Sequence, residues 1–365
     1  MKADRSRAST GEPKIDDAAP PGRRSGPPGR GGPEVGGVRR LSQIARTCLR
    51  SGSVFVALGV LWFVLALASP YFLTASNISI VFLQSSTVGI LAAGFTLVLL
   101  TGEIDLSIAS VEALAGTVAG VVIVERGVPF VLGIAAVIGM GLCIGAISGY
   151  LTLSARIPSF IATLAMLGVA QGVAFVLTGA QTVEGFPSSY LALGQNHLWG
   201  IPVPVVIAVA VYFVLYLVLS QTRLGVHIYA VGGSRDGARL AGIRAGGVVM
   251  LTFLASGALA ALAGIILSAE LNAGSGNFGS TDLLNAIAAV VIGGTSLSGG
   301  EGSIVRTAGG VLIITTINNG LVLLGVNSYW VQVAVGLMIV AAVVTDRFVR
   351  GELRVRDLSL RAGLR

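Results

Sequence analysis

Long apolar runs, separated by short polar connections, follow one another from residue 54 to residue 345. An α-helix needs about 20 apolar residues to cross the roughly 30 Å hydrocarbon core of a membrane. Ten runs come close to this length: Val54–Phe72, Ile78–Leu100, Ser107–Val124, Pro129–Leu153, Ser159–Thr178, Ile201–Ser220, Val248–Ala269, Leu283–Leu297, Ile304–Leu324 and Tyr329–Thr345. We therefore predict an all-α integral membrane protein with about ten transmembrane helices.

Arginine residues are concentrated in alternate connections between these runs. Clustered Arg in a short connection keeps that connection in the cytoplasm. If both termini are cytoplasmic, the inner connections hold Arg156, the four arginines of the central connection and Arg306, whereas the outer connections hold only Arg126. An odd number of spans would scatter Arg over both faces, so we predict ten spans with both termini cytoplasmic.

Composition supports a membrane protein and argues against one that binds nucleic acid. Hydrophobic residues make up 54% of the chain and charged residues 11%, which is typical of polytopic membrane proteins. The net charge of +7 is almost entirely located in Met1–Gly52, which holds eleven Lys or Arg and five Asp or Glu. We expect a disordered basic cytoplasmic tail over 1–50, next to membrane lipid, a transmembrane domain over 51–347 and a basic cytoplasmic tail over 348–365.

Small residues recur at four-residue spacing in three of the runs. They are Gly116 and Gly120 in the third, Gly141, Gly145 and Gly149 in the fourth, and Ser256, Ala260 and Gly264 in the seventh. Such spacing lets helix backbones approach closely in a membrane, where apolar side chains gain little by leaving lipid. We therefore expect a tightly packed bundle.

The connection from Gln221 to Gly247 is the only sizeable polar interruption in the apolar part of the sequence. Its charged residues are Arg223, Arg235, Asp236, Arg239 and Arg244. Ser234 is suited to cap a helix that begins at Arg235, and Gly242 is suited to end it in the left-handed conformation. So short a helix is marginal in water, so we expect it to dock on a partner through a small apolar face formed by Ala238, Leu240 and Ala241. The alternative is a solvated connector.

Two carboxylates, Glu103 and Asp105, interrupt the apolar sequence between the second and third runs, and Glu112 follows inside the third. Ionisable groups at membrane depth are costly and usually face protein or water. Either Thr101–Ser107 is a tight cytoplasmic turn in which Asp105 caps the third span, or the helix breaks at Gly102 beside an aqueous path. Glu112 is a candidate for a buried polar role, with a position at the cytoplasmic boundary as the alternative.

Neutral polar side chains occur inside several of the runs. They include Gln84, Gln171, Asn285, Asn318, Asn319 and Gln332. Donors and acceptors without a fixed charge suit a neutral polyhydroxylated solute better than an ion. The alternative for each of them is an interhelical hydrogen bond.

A glycine- and serine-rich stretch at Gly293–Ser303 has the composition of a phosphate-binding loop. A nucleotide-binding loop of that type needs a Lys for the phosphates, and no Lys follows Lys14. The two histidines, His197 and His227, are far apart in sequence and form no metal-binding motif. We therefore expect no nucleotide, cofactor or metal to be bound by this chain.

Four segments together resemble the permease subunits of ribose-type, simple-sugar ABC importers. They are T-G-E-I-D-L-S at Thr101–Ser107, I-P-S-F-I-A-T-L-A-M-L at Ile157–Leu167, A-V-G-G-S-R-D-G-A-R-L-A-G-I at Ala230–Ile243 and N-A-I-A-A-V-V-I-G-G-T-S-L-S-G-G at Asn285–Gly300. Any one of them alone is weak evidence, whereas their combination in this order between apolar runs is specific.

The resemblance implies a homodimer of permeases in the bacterial cytoplasmic (inner) membrane. It also implies a cytoplasmic tandem-domain ABC ATPase, which uses ATP and Mg²⁺, and a periplasmic or lipid-anchored sugar-binding protein. The chain itself would then be no enzyme. The segment Ala230–Ile243 resembles the coupling segment that seats in a groove of the ATPase.

Three sets of candidate residues follow from the patterns and the resemblance. The coupling candidates are Ser234, Arg235, Asp236, Arg239, Leu240 and Gly242. The candidates for the translocation path are Gln84, Glu112, Asn285, Asn318 and Asn319. The gate or loop candidates are Glu103, Asp105, Asp282, Gly293, Gly294, Ser296 and Ser298.

Two segments depart from the pattern of the resembled family. Where its members usually read T-G-G-I-D-L-S, this chain has Glu103, and where they usually read Y-E-L-D, it has Asp282-Leu283-Leu284-Asn285. These changes lie where an outer vestibule or gate could be, so they leave the usual range of sugars open.

Three other interpretations remain at this point. The same machinery could carry a nucleoside, a sugar-like signal or a branched-chain amino acid. An ion-coupled secondary transporter would need a titrating carboxylate at mid-membrane, for which Glu112 is the candidate. A membrane enzyme would need catalytic groups clustered at one face, and the scattered acids and two histidines do not supply them.

Overall fold

The structure is a computed structural model that describes residues 35–349, with side chains described for residues 52–344 except Ser328 and Ala342. The predicted tails over residues 1–34 and 350–365 lie outside the described residues. The chain divides into two units, Met1–Thr47 and Cys48–Arg365. Residues 35–47, the described part of the first unit, are helical.

Nearly all secondary structure among the described residues is α-helical. The helices are α1 Val35–Ala68, α2 Ala75–Leu100, α3 Ile108–Ala119, α4 Phe130–Leu153, α5 Ser159–Thr178, α6 Ser188–Gln195, α7 Val203–Gln221, α8 Arg223–Gly233, α9 Arg235–Leu240, α10 Ala245–Leu271, α11 Asp282–Ile292, α12 Ile304–Leu323 and α13 Ser328–Val349. A π-helical turn over Gly120–Glu125 continues α3. The described part of the chain therefore has the predicted all-α character.

The start of α1 differs from the expected boundary of the disordered tail. Residues 35–50 are helical, because α1 begins at Val35. The sequence has a reason for this: Val38, Leu41, Ile44 and Cys48 recur at three- and four-residue spacing, which is the apolar periodicity of one helix face.

Four very short strands stand in connections between helices. β1 Val183–Glu184 pairs antiparallel with β4 Ala273–Gly274, and β2 His197–Leu198 pairs antiparallel with β3 Ile201–Pro202. Helix α6 lies between β1 and β2, and its buried Tyr190 shares a 2.7 Å hydrogen bond with Ser268 of α10. These connections therefore form a structured cap at the end of α10.

Six helices are long and apolar enough to cross a membrane: α2, α3 with its π-helical continuation, α4, α5, α7 and α10. Each of the other four predicted runs overlaps a helix whose described part is shorter or more polar than these six, so the count of ten stays a prediction. The eighth run ends earlier than expected, since α11 stops at Ile292 and Gly294 takes a left-handed φ of 73°. That conformation turns the chain out of the helix.

Helix α10 occupies the centre of the bundle and packs against α2, α3 and α4. Its contact with α4 is close enough that only glycine fits. A Cβ built at Gly145 would collide with the carbonyl oxygen of Phe253, and one at Gly257 with that of Gly141. The close approach that the spacing of small residues predicts is therefore present between α4 and α10.

A valine at Gly257 should separate these two helices. We expect Gly257→Val to lower the free energy of unfolding by about 1–3 kcal/mol, since the larger side chain forces a shift of backbone. Thermal unfolding of the purified protein in detergent measures the effect. Gly168→Val is the matched control, because it lies in a helix with no atom within 4 Å of the added Cβ. Equal effects of the two variants would contradict the packing argument.

Candidate translocation cavity and coupling segment

A cavity of about 420 Å³ lies where α2, α11 and α13 begin and α12 ends. Its lining residues are Asn77, Ile80, Gln84, Thr281, Leu284, Asn285, Asn318, Asn319, Val322, Leu323, Val331, Gln332 and Val335. None of these residues is charged. At 1.5 Å of rise per residue, Asn77 and Gln84 lie about 24–34 Å along α2 from Leu100. The cavity therefore lies far from the end of α2 at Leu100.

Carboxamides form a hydrogen-bonded network beside this cavity. Asn77 and Asn319 donate to one another, at 3.0 Å from Asn77 and 2.8 Å from Asn319. Asn318 donates to Asn285 at 3.2 Å, and Asn285 donates to Asp282 at 3.5 Å. The Oδ1 atom of Asn318 is buried without a hydrogen-bond partner. A buried acceptor without a partner is costly, so Asn318 is the one of these amides whose hydrogen-bonding capacity is not fully used.

Four of the five predicted path residues meet at this cavity, namely Gln84, Asn285, Asn318 and Asn319. Sequence reasoning missed Asn77, because this residue precedes the predicted start of the second run by one position. Its spacing of seven residues from Gln84 was the available signal, since residues i and i+7 share one face of a helix.

Glu112, the fifth predicted path residue, lies away from the lining. It is 1% exposed, and neither carboxylate oxygen has a hydrogen-bond partner. It lies beside Gly264 of α10 and Gly279 of the connection to α11. The alternative of a position at the membrane boundary is therefore wrong. The reason is the path of the preceding residues, which bring the chain into the bundle before α3 begins.

The Thr101–Ser107 connection combines a turn with a stretch that is not helical. Helix α2 ends at Leu100, Gly102 takes a φ of 79°, and α3 begins only at Ile108. The N-cap of α3 is Ser107 and not Asp105 as expected. Asp105 is 1% exposed and accepts hydrogen bonds from Ser107 and from Ser256 of α10. The connection is thus buried against protein.

The short helix predicted in the central connection is present as α9. Ser234 Oγ accepts a hydrogen bond from the Gly237 amide at 3.0 Å, which caps the first turn. Gly242 has a φ of 80°, and its amide donates to Arg239 O at 3.0 Å. Both ends of α9 are therefore fixed as the sequence predicts.

One side of α9 packs against the rest of the chain, and the other side is exposed. Ala238 is 4% exposed, whereas Leu240 is 91% exposed. Arg239 pairs with Asp236 at 3.3 Å on the exposed side. Arg235 pairs with Glu103 of the Thr101–Ser107 connection. The apolar face expected from three residues is thus split, with Ala238 turned inward and Leu240 and Ala241 outward.

The glycine- and serine-rich stretch lies at the same end of the bundle as α9. The Gly300 amide donates to Leu100 O at 3.0 Å, and the Ser296 amide donates to Glu301 O at 2.8 Å. Gly293, Gly294 and Ser298 belong to this stretch. We call this end, where Leu100, Gly300 and α9 meet, the α9 end. The gate or loop candidate Glu103 lies there as well, whereas Asp282 lies beside the amide network.

Helix α8 joins this arrangement through Tyr229, whose hydroxyl donates to Gly302 O at 3.2 Å. Burial raises the pKa of Tyr229, and the positive charge of Arg306 opposes this effect. The hydroxyl therefore stays protonated at neutral pH and remains a donor.

These features define a class of protein. A bundle of membrane-length helices holds a neutral polar cavity at one end and presents a short, exposed helix at the other. Among the described residues, no group of three or more His, Cys, Asp or Glu is placed to hold a metal ion. Such an architecture is typical of the membrane part of a solute transport system.

Comparisons with known proteins identify the family. The family described as "branched-chain amino acid transport system / permease component" matches residues 77–343. The ribose import permease protein RbsC of Escherichia coli (strain K12) is 41% identical over 295 residues, covering 80% of this chain and 92% of the relative. RbsC of Bacillus subtilis (strain 168) is 40% identical over 296 residues, covering 80% and 91%. The D-allose transport system permease protein AlsC of Escherichia coli (strain K12) is 36% identical over 284 residues, covering 78% and 87%.

No solved structure matches the chain significantly. The family match covers well over half of the sequence, and the curated relatives are covered almost completely. The chain therefore belongs to this family of transport permease components.

The capping bond at Ser234 gives a prediction for α9. Ser234→Ala removes the acceptor for the Gly237 amide, which typically costs about 1 kcal/mol. We expect amide hydrogen exchange within Arg235–Leu240 to become about fivefold faster. Mass spectrometry of the purified protein measures it, with Ser220→Ala as the control, since Ser220 donates only to Tyr216 O. Unchanged exchange in α9 would show that the cap does not hold the helix.

Proposed function

We propose that this chain is the permease subunit of an ATP-binding cassette importer that carries a simple sugar, a monosaccharide, across the bacterial inner membrane. The relatives named for ribose and D-allose transport support the sugar, and the family supports the permease role. ATP hydrolysis then belongs to a separate subunit.

The observation that carries the proposal is the amide-lined cavity. A carboxamide both donates and accepts hydrogen bonds without a charge, which matches the hydroxyl groups of a sugar. Asn285, Asn318 and Asn319 line the cavity and supply carboxamides for such hydroxyl groups. The volume of about 420 Å³ lies in the range of small-molecule sites.

The uncharged lining also favours a sugar over a branched-chain amino acid, the solute that the family description names. An amino acid carries an ammonium group and a carboxylate, and burying either without a charged partner is costly. Among the residues that line the cavity none is charged. A sugar requires no such partner.

In the proposed orientation the cavity opens to the outside and α9 lies in the cytoplasm. Ten spans with both termini cytoplasmic give this arrangement, and the distribution of Arg supports it. Solute would enter at the amide network and leave near the α9 end. The Thr101–Ser107 connection and the glycine-rich stretch would then form the inner gate.

The proposed assembly is a homodimer of this permease with a cytoplasmic tandem-domain ABC ATPase and a periplasmic or lipid-anchored sugar-binding protein. The ATPase uses ATP and Mg²⁺, and α9 seats against it. The exposed Leu240 and the exposed Arg239–Asp236 pair support this contact. Closure of the ATPase then shifts the permease between two states.

Reconstitution tests the proposed function. The permease, its ATPase and its binding protein are placed in proteoliposomes, and uptake of labelled ribose is measured with ATP inside. We expect accumulation that needs both ATP and the ATPase. Accumulation driven by a proton gradient without the ATPase would instead identify an ion-coupled secondary transporter.

The amide network gives a prediction about the path. Asn318→Leu removes the donor to Asn285 and the unpartnered acceptor while keeping a similar volume. We expect sugar uptake to fall about tenfold, because losing one buried hydrogen bond costs roughly 1–1.5 kcal/mol of binding free energy. Gln171→Leu is the control, because this amide lies inside α5 away from the cavity. Normal uptake in Asn318→Leu would make the network purely structural.

The exposed tip of α9 gives a prediction about the partner. Leu240→Ser removes an exposed apolar side chain without touching the hydrogen bonds of α9. We expect co-purification of the ATPase with the permease to drop about tenfold, as for an apolar interface anchor worth 1–2 kcal/mol. Trp199→Ser is the control. Trp199 is 93% exposed, like Leu240, but it lies just before the start of α7, whereas α9 follows the end of α7. Retention of the ATPase by Leu240→Ser would exclude α9 as its main contact.

A further inference from the structure

We propose that the ion pair between Glu103 and Arg235 links α9 to the interior of the bundle and carries its movement to α5 and α10. This inference rests on the proposed function, since it assigns positioning residues for coupling between the ATPase and the permease. It goes further because it names the contact through which the movement leaves α9.

The pair joins two segments that are far apart in sequence. Arg235 is the first residue of α9, and Glu103 lies in the non-helical Thr101–Ser107 connection. The Glu103 side chain is 10% exposed and the Arg235 side chain 41%. A hydrogen bond between charged groups is stronger when one partner is buried than on an open surface.

The residues after Glu103 are fixed to α5 by hydrogen bonds. The Ile104 amide donates to Ser159 Oγ at 3.1 Å, and the Leu106 amide donates to Thr163 Oγ1 at 3.0 Å. Two backbone amides without helical partners are thus satisfied by hydroxyls of the first turns of α5. A displacement of Glu103 therefore acts directly on α5.

The same connection is fixed to α10 and α3 through Asp105. Ser256 Oγ of α10 donates to Asp105 Oδ2 at 2.7 Å, and Ser107 Oγ donates to Asp105 Oδ1 at 2.6 Å. Ser256 is near the middle of α10 and is fully buried. Arg235 thus contacts Glu103, and Asp105, two residues further along the chain, contacts Ser256. The backbone of Ile104 joins the two polar contacts.

Other polar contacts of α9 do not lead into the bundle in this way. The second ion pair found among the described residues, between Arg239 and Asp236, lies within α9 itself. Ala238 is the one buried residue of α9, and an apolar contact slides more easily than a directional ion pair. Within the described part of the chain, Glu103 is therefore the charged partner that fixes the start of α9 to the bundle.

Charge reversal and exchange test the pair in the reconstituted complex. The variants are Glu103→Arg, Arg235→Glu and the double exchange, and the readout is labelled ribose taken up per ATP hydrolysed. We expect each single variant to lower this ratio about three- to tenfold, the range of mutations along a coupling route. In the Glu103→Arg variant, ATP hydrolysis and co-purification of the ATPase should stay near the wild-type level, because Glu103 lies outside α9. The double exchange should restore the ratio to within about twofold of wild type.

Two further variants keep the test decisive. Glu103→Gln keeps the size of the side chain and removes its charge, so it gives a result even if a charge reversal impairs assembly. Arg223→Glu reverses a charge in the same connection, and no described ion pair involves Arg223. It should leave uptake per ATP unchanged.

The outcomes separate this inference from the proposed function. If the wild-type complex shows no ATP-dependent uptake, the proposed function fails. If the wild type transports and Glu103→Gln does so with unchanged uptake per ATP, the link is wrong while the function stands. Single reversals that the double exchange does not rescue would likewise overturn the pair. Loss of assembly in Glu103→Gln would assign Glu103 a structural role only, which also overturns the inference.

Discussion

Helices in lipid cannot be held together by the hydrophobic effect, because the lipid tails are as apolar as their side chains. The bundle therefore depends on close backbone contact and on hydrogen bonds between helices. Glycines on α4 and α10 supply the first, with the backbones of Gly141 and Gly257 in direct contact. Serine and threonine hydroxyls supply the second, for example between Ser85 of α2 and Thr315 of α12 at 2.6 Å.

The same constraint separates the polar groups into two sites at the two ends of α2. Neutral amides gather at one end, where α2, α11 and α12 meet. The ion pair between Glu103 and Arg235 lies at the other, where α9 lies against the Thr101–Ser107 connection. In the proposed function, solute recognition and partner contact would therefore use different chemistry and would not compete for the same residues. Buried hydrogen bonds such as that between Asp105 and Ser256 lie between the two ends.

Much of this arrangement follows from local sequence. The apolar runs predict the long helices, and Ser234 and Gly242 predict both ends of α9, because capping depends on residues close in sequence. Asn285, Asn318 and Asn319 were identified because an amide inside an apolar run is conspicuous. Their convergence with Gln84 on one cavity was not predictable from the chain alone, since it depends on how α2, α11 and α12 pack.

The positions that sequence reasoning misplaced share a cause. The positions of Glu103 and Glu112 depend on the path of the chain between α2 and α3, which is not helical over Thr101–Ser107. Contacts with other helices fix that path, such as the hydrogen bond between Asp105 and Ser256 of α10, and they are not visible in the local sequence. The pairing of Glu103 with Arg235 spans 132 positions, and one sequence carries no signal for such a contact.

The reciprocal pair of Asn77 and Asn319 has a consequence for the empty molecule. Each amide satisfies the other, so this contact is complete without cargo and opening it has a cost. When water replaces a hydrogen bond of this kind, the net cost is only about 0.5–1.5 kcal/mol, so the pair is stable but can be opened. In the proposed function, a solute that passes between Asn77 and Asn319 must replace both hydrogen bonds of the pair.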